Sequence, residues 1–309
     1  MGKTAFLFSG QGAQRVGMGK EFYERFASVH SLFDRAEALR PGTLHLMFEG
    51  SDEELRRTEN TQPCLYLADL AAAYALRECG LMPDAVAGFS LGEIPALAFA
   101  GAYDALDGFR LACERGKCMA AAGETVDASM AAIVKLPDET VEALCAKYAR
   151  VYPVNYNCDG QLSVAGDRAE LELLYADVAA AGGRSMPLKV SGGFHSPFMD
   201  PASERFGAIL NEFDLKQPQL PVYSDRTAQL YGENVRELLT EQINHPVRWK
   251  DIMHRMEENG FDTFIECGAG AVLRKLAMKN IASCWSYAIE DLSGLQKLRE
   301  EGIVWVSEV

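Results

Sequence analysis

The sequence predicts an α/β fold. A large domain is built on a mostly parallel sheet, and a small βαββαβ subdomain is inserted into it. Three observations carry that expectation. Short apolar runs alternate with amphipathic segments of helical period through residues 1–126 and again through 191–309, the order that places parallel strands beneath helices on both faces. Between them, residues 127–190 read as strand, helix, two strands joined by a hairpin signal at Asp159-Gly160, helix and strand, which is the order of a ferredoxin-like unit. Finally, Gly88-Phe89-Ser90-Leu91-Gly92-Glu93 sets a serine between glycines where a strand gives way to a helix. That is the pattern of a nucleophile elbow, and it makes the large domain α/β-hydrolase-like.

The elements follow in order. Residues 4–8 read as a buried strand that opens into Ser9-Gly10-Gln11-Gly12-Ala13-Gln14. A dinucleotide fingerprint fails there, because Arg15 stands where a third glycine or alanine is needed. What remains is a glycine-rich turn able to offer backbone N–H groups to an anion. Helical patterns cover 20–38 and 61–78, the second with Pro63 near its first turn and Gly80 as its stop. The strand at 85–87 leads into the elbow, and an amphipathic helix at 105–121 carries Arg115. In the insert, strands are expected at 130–136, 151–157, 162–165 and 185–190, with helices at 138–148 and 167–181. A glycine-rich loop then presents His195, with Ser196 as cap and Pro197 in the first turn of the next helix. A strand at 221–224 and a helix at 234–243 follow. Another helix is entered at Asn244-His245-Pro246, and a strand at 263–265 leads to Gly268-Ala269-Gly270. The tail after Leu292 reads as one charged helix.

Composition narrows the function. With 309 residues, 48% hydrophobic and 24% charged, the chain matches an ordinary soluble enzyme. No apolar run approaches the ~20 residues of a membrane span, and the start is too short in apolar residues for a signal peptide. The chain therefore reads as cytoplasmic, and as a monomer. Eight cysteines without a Cys-x-x-Cys pair read as buried thiols, and five dispersed histidines offer no metal-ligand spacing. A net charge of −14 argues against general nucleic-acid binding.

Taken alone, Gly88-x-Ser90-x-Gly92 is equally compatible with an ordinary glycine-rich turn. Arg115 alone reads as a surface arginine pairing with Glu114 or Asp107, and His195 as a loop histidine satisfied by backbone. Further segments change the reading. Phe8-Ser9-Gly10-Gln11-Gly12-Ala13-Gln14, Thr61-Gln62-Pro63, the elbow, Arg115-Gly116, Asn155-x-Asn157 with Gly160-Gln161, Phe194-His195-Ser196-Pro197 and Pro246-Val247-x-Trp249 occur in that order. Together they resemble the malonyl-CoA:acyl-carrier-protein transacylases and the acyltransferase domains of polyketide synthases, over nearly the whole chain.

The resemblance implies the roles. Ser90 is the expected nucleophile toward the malonyl-CoA thioester, and His195 the expected base and acid. The backbone carbonyl of Gln242 stands in for the carboxylate of an acid-containing triad. Backbone N–H groups of Gln11 and Leu91 form the oxyanion hole. Arg115 binds the malonyl carboxylate with its planar fork. Gln62, Asn155 and Asn157 are expected near the site. Gly193-Phe194 before the histidine sides with malonyl over methylmalonyl. No cofactor is expected; the donor is malonyl-CoA, and the acceptor thiol is a phosphopantetheine carried by an acyl carrier protein. Arg184, Lys189 and Lys117 are candidates for a local basic face toward that acidic partner.

Departures from the family pattern stand at Phe89, where histidine is usual, at Pro95, and at Asp159 and Ala269, where proline is common. Phe89 is expected to alter the acyl pocket while the chemistry survives, and Pro95 to loosen the first turn of its helix. Two rival readings remain: a serine thioesterase or esterase, and a non-catalytic homologue that docks carrier proteins.

Overall fold

The computed structural model describes residues 2–303; residues 304–309, the end of the expected 191–309 segment, lie outside it. Its strands are β1 (Lys3–Phe8), β2 (Ala85–Gly88), β3 (Ala128–Val134), β4 (Val151–Cys158), β5 (Gln161–Asp167), β6 (Arg184–Pro187), β7 (Val222–Tyr223), β8 (Phe261–Cys267) and β9 (Trp285–Ile289). They form a five-stranded sheet in the order β7-β2-β1-β8-β9 and a separate four-stranded sheet in the order β4-β5-β3-β6. Every pairing in the first is parallel, and every pairing in the second antiparallel.

The parallel sheet is buried on both faces, as its near-continuous apolar strands predict. Successive side chains of a strand point to opposite faces. Phe6 and Phe8 of β1 accordingly join one core with Val86 and Ile265, while Ala5 and Leu7 join another with Ala87, Phe264 and Trp249. The antiparallel sheet has its own core, where Ile133 and Val164 meet Leu144, Leu174 and Val178 of its two helices. From its other face Met130, Val154 and Ala165 pack into the large core.

Two further contacts tie the insert down. Val247 exchanges backbone hydrogen bonds with β4 through Val154 and Tyr156, so the Pro246-Val247 segment stays extended and the next helix starts only at Trp249 (Trp249–Glu258). Lys250 on that helix pairs with Asp138 and, at 3.2 Å, with Asp159. Asp159, a departure from the family pattern, therefore has a partner across the seam.

Several boundaries differ from expectation. The 20–38 helix is two helices, Lys20–Arg25 and Ala27–Leu39, broken where Phe26 is extended and packs on Phe22. The helix expected at 61–78 starts at Thr58 (Thr58–Glu78), which leaves Pro63 inside it rather than in its first turn. The last strand of the insert stops at Pro187, and 188–190 turn toward the cleft between the sheets. Helices Thr43–Glu49 and Asp52–Arg56 and the edge strand β9 were not anticipated. Each is too short for its periodicity to stand out.

Candidate active site

The strand-to-helix turn after β2 is as tight as two facing glycines allow. A Cβ on Gly88 would lie 1.9 Å from the carbonyl carbon of Gly92, and one on Gly92 would lie 2.1 Å from the Phe8 carbonyl oxygen. Between them Ser90 takes φ 55°, a left-handed conformation that L-residues rarely adopt and that costs about 1–3 kcal/mol. Its N–H donates to Asp225 Oδ2 at 2.6 Å. Helix Glu93–Phe99 follows, with Pro95 as its third residue. The N–H that proline lacks is among those with no intrahelical acceptor at a helix start, so the expected loosening does not arise from a lost bond.

His195 enters from the loop after the insert, also left-handed at φ 61°. Ser196 fixes that loop by donating its hydroxyl to the Gly193 carbonyl at 2.6 Å and capping Phe198 N–H. His195 Nε2 lies 2.7 Å from Ser90 Oγ, and Nδ1 lies 2.9 Å from the Gln242 carbonyl oxygen. A carbonyl can only accept, so Nδ1 carries the hydrogen and Nε2 of the neutral ring is left to accept the serine hydroxyl. Burial, with the Arg115 charge beside it, lowers the imidazole pKa from 6.5 to about 4. The ring is thus an unprotonated base at neutral pH.

Arg115, on helix Ala105–Glu124, is 1% exposed. Nη1 donates to Gln62 Oε1 at 3.0 Å, and Nη2 to Gln242 Oε1 at 2.7 Å and Ser90 Oγ at 3.3 Å; Nε has no partner. The surface reading is overturned, since Asp107 pairs with Arg110 and Glu114 with Lys117. Burial lowers the guanidinium pKa to about 10, against the opposing pull of Glu93 and Asp225, so the group stays charged at neutral pH. Gln242 joins these parts. While its carbonyl orients His195, its Nε2 donates to the Ser90 carbonyl and to Glu93 Oε2, each at 2.6 Å.

Glu93 and Asp225 are the components that sequence reasoning missed. Both are fully buried, and Asp225 N–H donates to Glu93 Oε1 at 2.9 Å. Burial pushes both carboxyls up. Glu93 was visible in the elbow motif without a role, whereas Asp225 follows a two-residue strand and carries no local signal.

A cavity of ≈ 80 Å³ beside Ser90 and His195 is lined also by Gln11, Phe89, Met119 and Phe194. An outer cleft of ≈ 250 Å³ shares Gln11, Phe89, Asn155 and Leu188 with it and runs out past Gly12, Gln161 and Val272. The backbone N–H groups of Gln11 and Leu91 donate to no protein acceptor among the described residues. Asn155 lines both cavities with Oδ1 buried and unpartnered, whereas Asn157 donates to Ser163 as a structural hydrogen bonder. Of the suggested basic face, Lys189 is exposed between two residues that line the inner cavity, Arg184 is exposed on β6, and Lys117 is held by Glu114.

The fold defines a class, the acyl transferases. Residues 5–299 match the family model described as acyl transferase domain, and the chain belongs to that family. Its relatives include the malonyl CoA-acyl carrier protein transacylase of Bacillus subtilis, 38% identical over 97% of this chain and 99% of that one. The transacylase of Synechocystis is 35% identical over 90% and 93%. The crystal structure of the Clostridium perfringens malonyl CoA-acyl carrier protein transacylase superposes with a TM-score of 0.92, at 35% identity over 97% of this chain and 98% of that one. A malonyl-transacylase solved in complex with its type II polyketide synthase acyl-carrier protein gives 0.92 at 32% identity, over 97% and 99%.

Proposed function

We propose that this chain moves a malonyl group from malonyl-CoA to the phosphopantetheine thiol of an acyl carrier protein through an ester on Ser90. The supporting observation is that one residue, Gln242, holds both the His195 base and the buried Arg115 fork against the Ser90 hydroxyl. An unassisted serine hydroxyl is a poor nucleophile. Here Nε2 takes the hydroxyl proton as Oγ attacks the thioester carbonyl, and collapse of the tetrahedral adduct expels the CoA sulfur, which receives that proton from His195. The carrier thiol then gives its proton to Nε2 and attacks the ester carbonyl, and collapse of this second adduct expels Ser90 Oγ, which takes that proton back from His195. Gln11 and Leu91 N–H groups stabilise the oxyanion in both halves.

Arg115 selects the acyl group. A malonyl carboxylate gives the guanidinium a bidentate partner, whereas an acetyl group leaves the buried charge without one. The inner cavity takes the acyl group and the outer cleft the pantetheine arm. The reaction as written needs no metal and no cofactor of the enzyme's own. We read the enzyme as a cytoplasmic monomer, with malonyl-CoA and an acyl carrier protein as its partners and fatty-acid or polyketide synthesis as the consumer of its product. No helix among the described residues is long and apolar enough to cross a membrane. The test is acyl transfer to holo carrier protein. Malonyl-carrier protein is expected as the product, and release of free malonate without carrier acylation would replace the transferase reading with a hydrolase.

A further inference from the structure

We infer that Asp225 is a positioning residue that holds the nucleophile's backbone in its reactive conformation. The inference rests on the transferase reading only in that Ser90 is the nucleophile.

The topology supplies the juxtaposition. β7 runs parallel to β2 with Val86 opposite Val222 and Ala87 opposite Tyr223, so both strands end at the same edge of the sheet. One strand end carries Ser90, and the other, after Ser224, carries Asp225. Left-handed Ser90 turns its N–H out of the ladder into the protein interior, where an unmatched donor costs about 1–3 kcal/mol. Asp225 Oδ2 meets it at 2.6 Å and supplies the missing acceptor.

The carboxyl is itself immobilised. Its backbone N–H donates to Glu93, its carbonyl accepts from Arg248 N–H at 2.9 Å, and Gln242 Nε2 lies 3.4 Å from the same Oδ2. The loop behind it is closed by Ser224 N–H to the Gln229 carbonyl and Ala228 N–H to the Ser224 carbonyl, both 2.8 Å. Without Asp225 the Ser90 backbone can relax toward an ordinary φ, which carries Oγ away from His195 Nε2, now 2.7 Å distant. Asp225 contacts neither ring nitrogen, so it acts through Ser90 and not through the base.

The experiment compares Asp225→Ala and Asp225→Asn in full-length protein by steady-state malonyl transfer and by the rate of Ser90 labelling with a fluorophosphonate. The probe reports serine reactivity whatever the natural acyl donor. If the wild type is labelled but never malonylated, the transferase reading fails and the Asp225 comparison still stands. For Asp225→Ala, kcat and labelling rate fall about 100-fold, the loss expected of a nucleophile displaced by an ångström, while the malonyl-CoA KM stays within about threefold. Asp225→Asn keeps an oxygen acceptor and recovers both rates to within about tenfold of wild type. Wild-type rates in the alanine variant, an asparagine variant no better than alanine, or a loss confined to KM overturns the inference. If the alanine variant does not fold, the asparagine variant decides alone: recovery with unchanged KM supports the role, and loss of labelling in soluble protein removes it.

Discussion

Gln242 orients His195 with its main chain and Arg115 with its side chain, accepting Nδ1–H at 2.9 Å through the carbonyl and Nη2–H at 2.7 Å through Oε1. The two functions can therefore be separated by mutation. Gln242→Ala retains the carbonyl, and with it the base. It removes one buried hydrogen bond each from Glu93 Oε2 and Arg115 Nη2, which costs about 1–3 kcal/mol of stability. The malonyl-CoA KM rises while the acid limb of the pH–rate profile stays in place. Kinetics across pH together with thermal melts check this; a displaced acid limb would mean that the side chain orients the imidazole.

The low pKa of His195 fixes the sign of the pH response. A base that takes its proton only near pH 4 keeps kcat/KM flat down through pH 5, with the acid limb below it. Stability follows the same group. Between its unfolded value of 6.5 and about 4 the unfolded chain binds a proton that the folded chain refuses, so acidification through that window destabilises the fold, and the contribution levels off below it. Fluorophosphonate labelling of Ser90 from pH 4 to 8 measures the catalytic limb directly. A midpoint near 6.5 would show an imidazole that does not feel its burial.

Removing the guanidinium separates affinity from chemistry. Arg115→Ala is expected to lower malonyl transfer about 100-fold, the worth of a buried bond to a charged group, while acetyl transfer falls less. Arg115→Lys restores charge but not the planar fork, and recovers little. Competition between malonyl-CoA and acetyl-CoA reads the shift. An unchanged ratio in the alanine variant takes Arg115 out of carboxylate recognition.

Phe89 directly precedes Ser90, at the position where the resemblance leads one to expect histidine. Its ring packs on Trp249 with centroids 5.5 Å apart and lines both cavities. It touches neither His195 nor Gln242 through any hydrogen bond, so Phe89→His should leave Ser90 acylation within about tenfold of wild type. Phe89→Ala opens the junction and is expected to improve transfer of a branched methylmalonyl group relative to malonyl about tenfold, the worth of one methyl group in a pocket. Parallel assays with the two donors check it; a dead Phe89→His enzyme would place the ring in the chemistry.

How much of this was legible in the sequence depends on range. The elbow was readable because its glycines answer a local clash, Gly88 against Gly92. The insert was readable because hairpin chemistry and helical period are local too. Ser90 and the Leu91 N–H were readable from the elbow turn, the roles of His195, Arg115, Gln242 and Gln11 came from the family resemblance, and the geometry brings Ser90, His195, Arg115 and Gln242 into contact. Asp225 was not legible. Its partner is 135 positions away, and its strand is too short to show a pattern. The break at Phe26 and the early start at Thr58 were set by tertiary packing, which propensity does not see.

The central claim is the malonyl ester on Ser90, and intact-mass spectrometry after mixing with malonyl-CoA tests it most directly. The account predicts a single added malonyl group, mapped to Ser90, absent in Ser90→Ala and discharged on addition of holo carrier protein. A wild-type spectrum without the adduct, or an adduct that persists in Ser90→Ala, would contradict it.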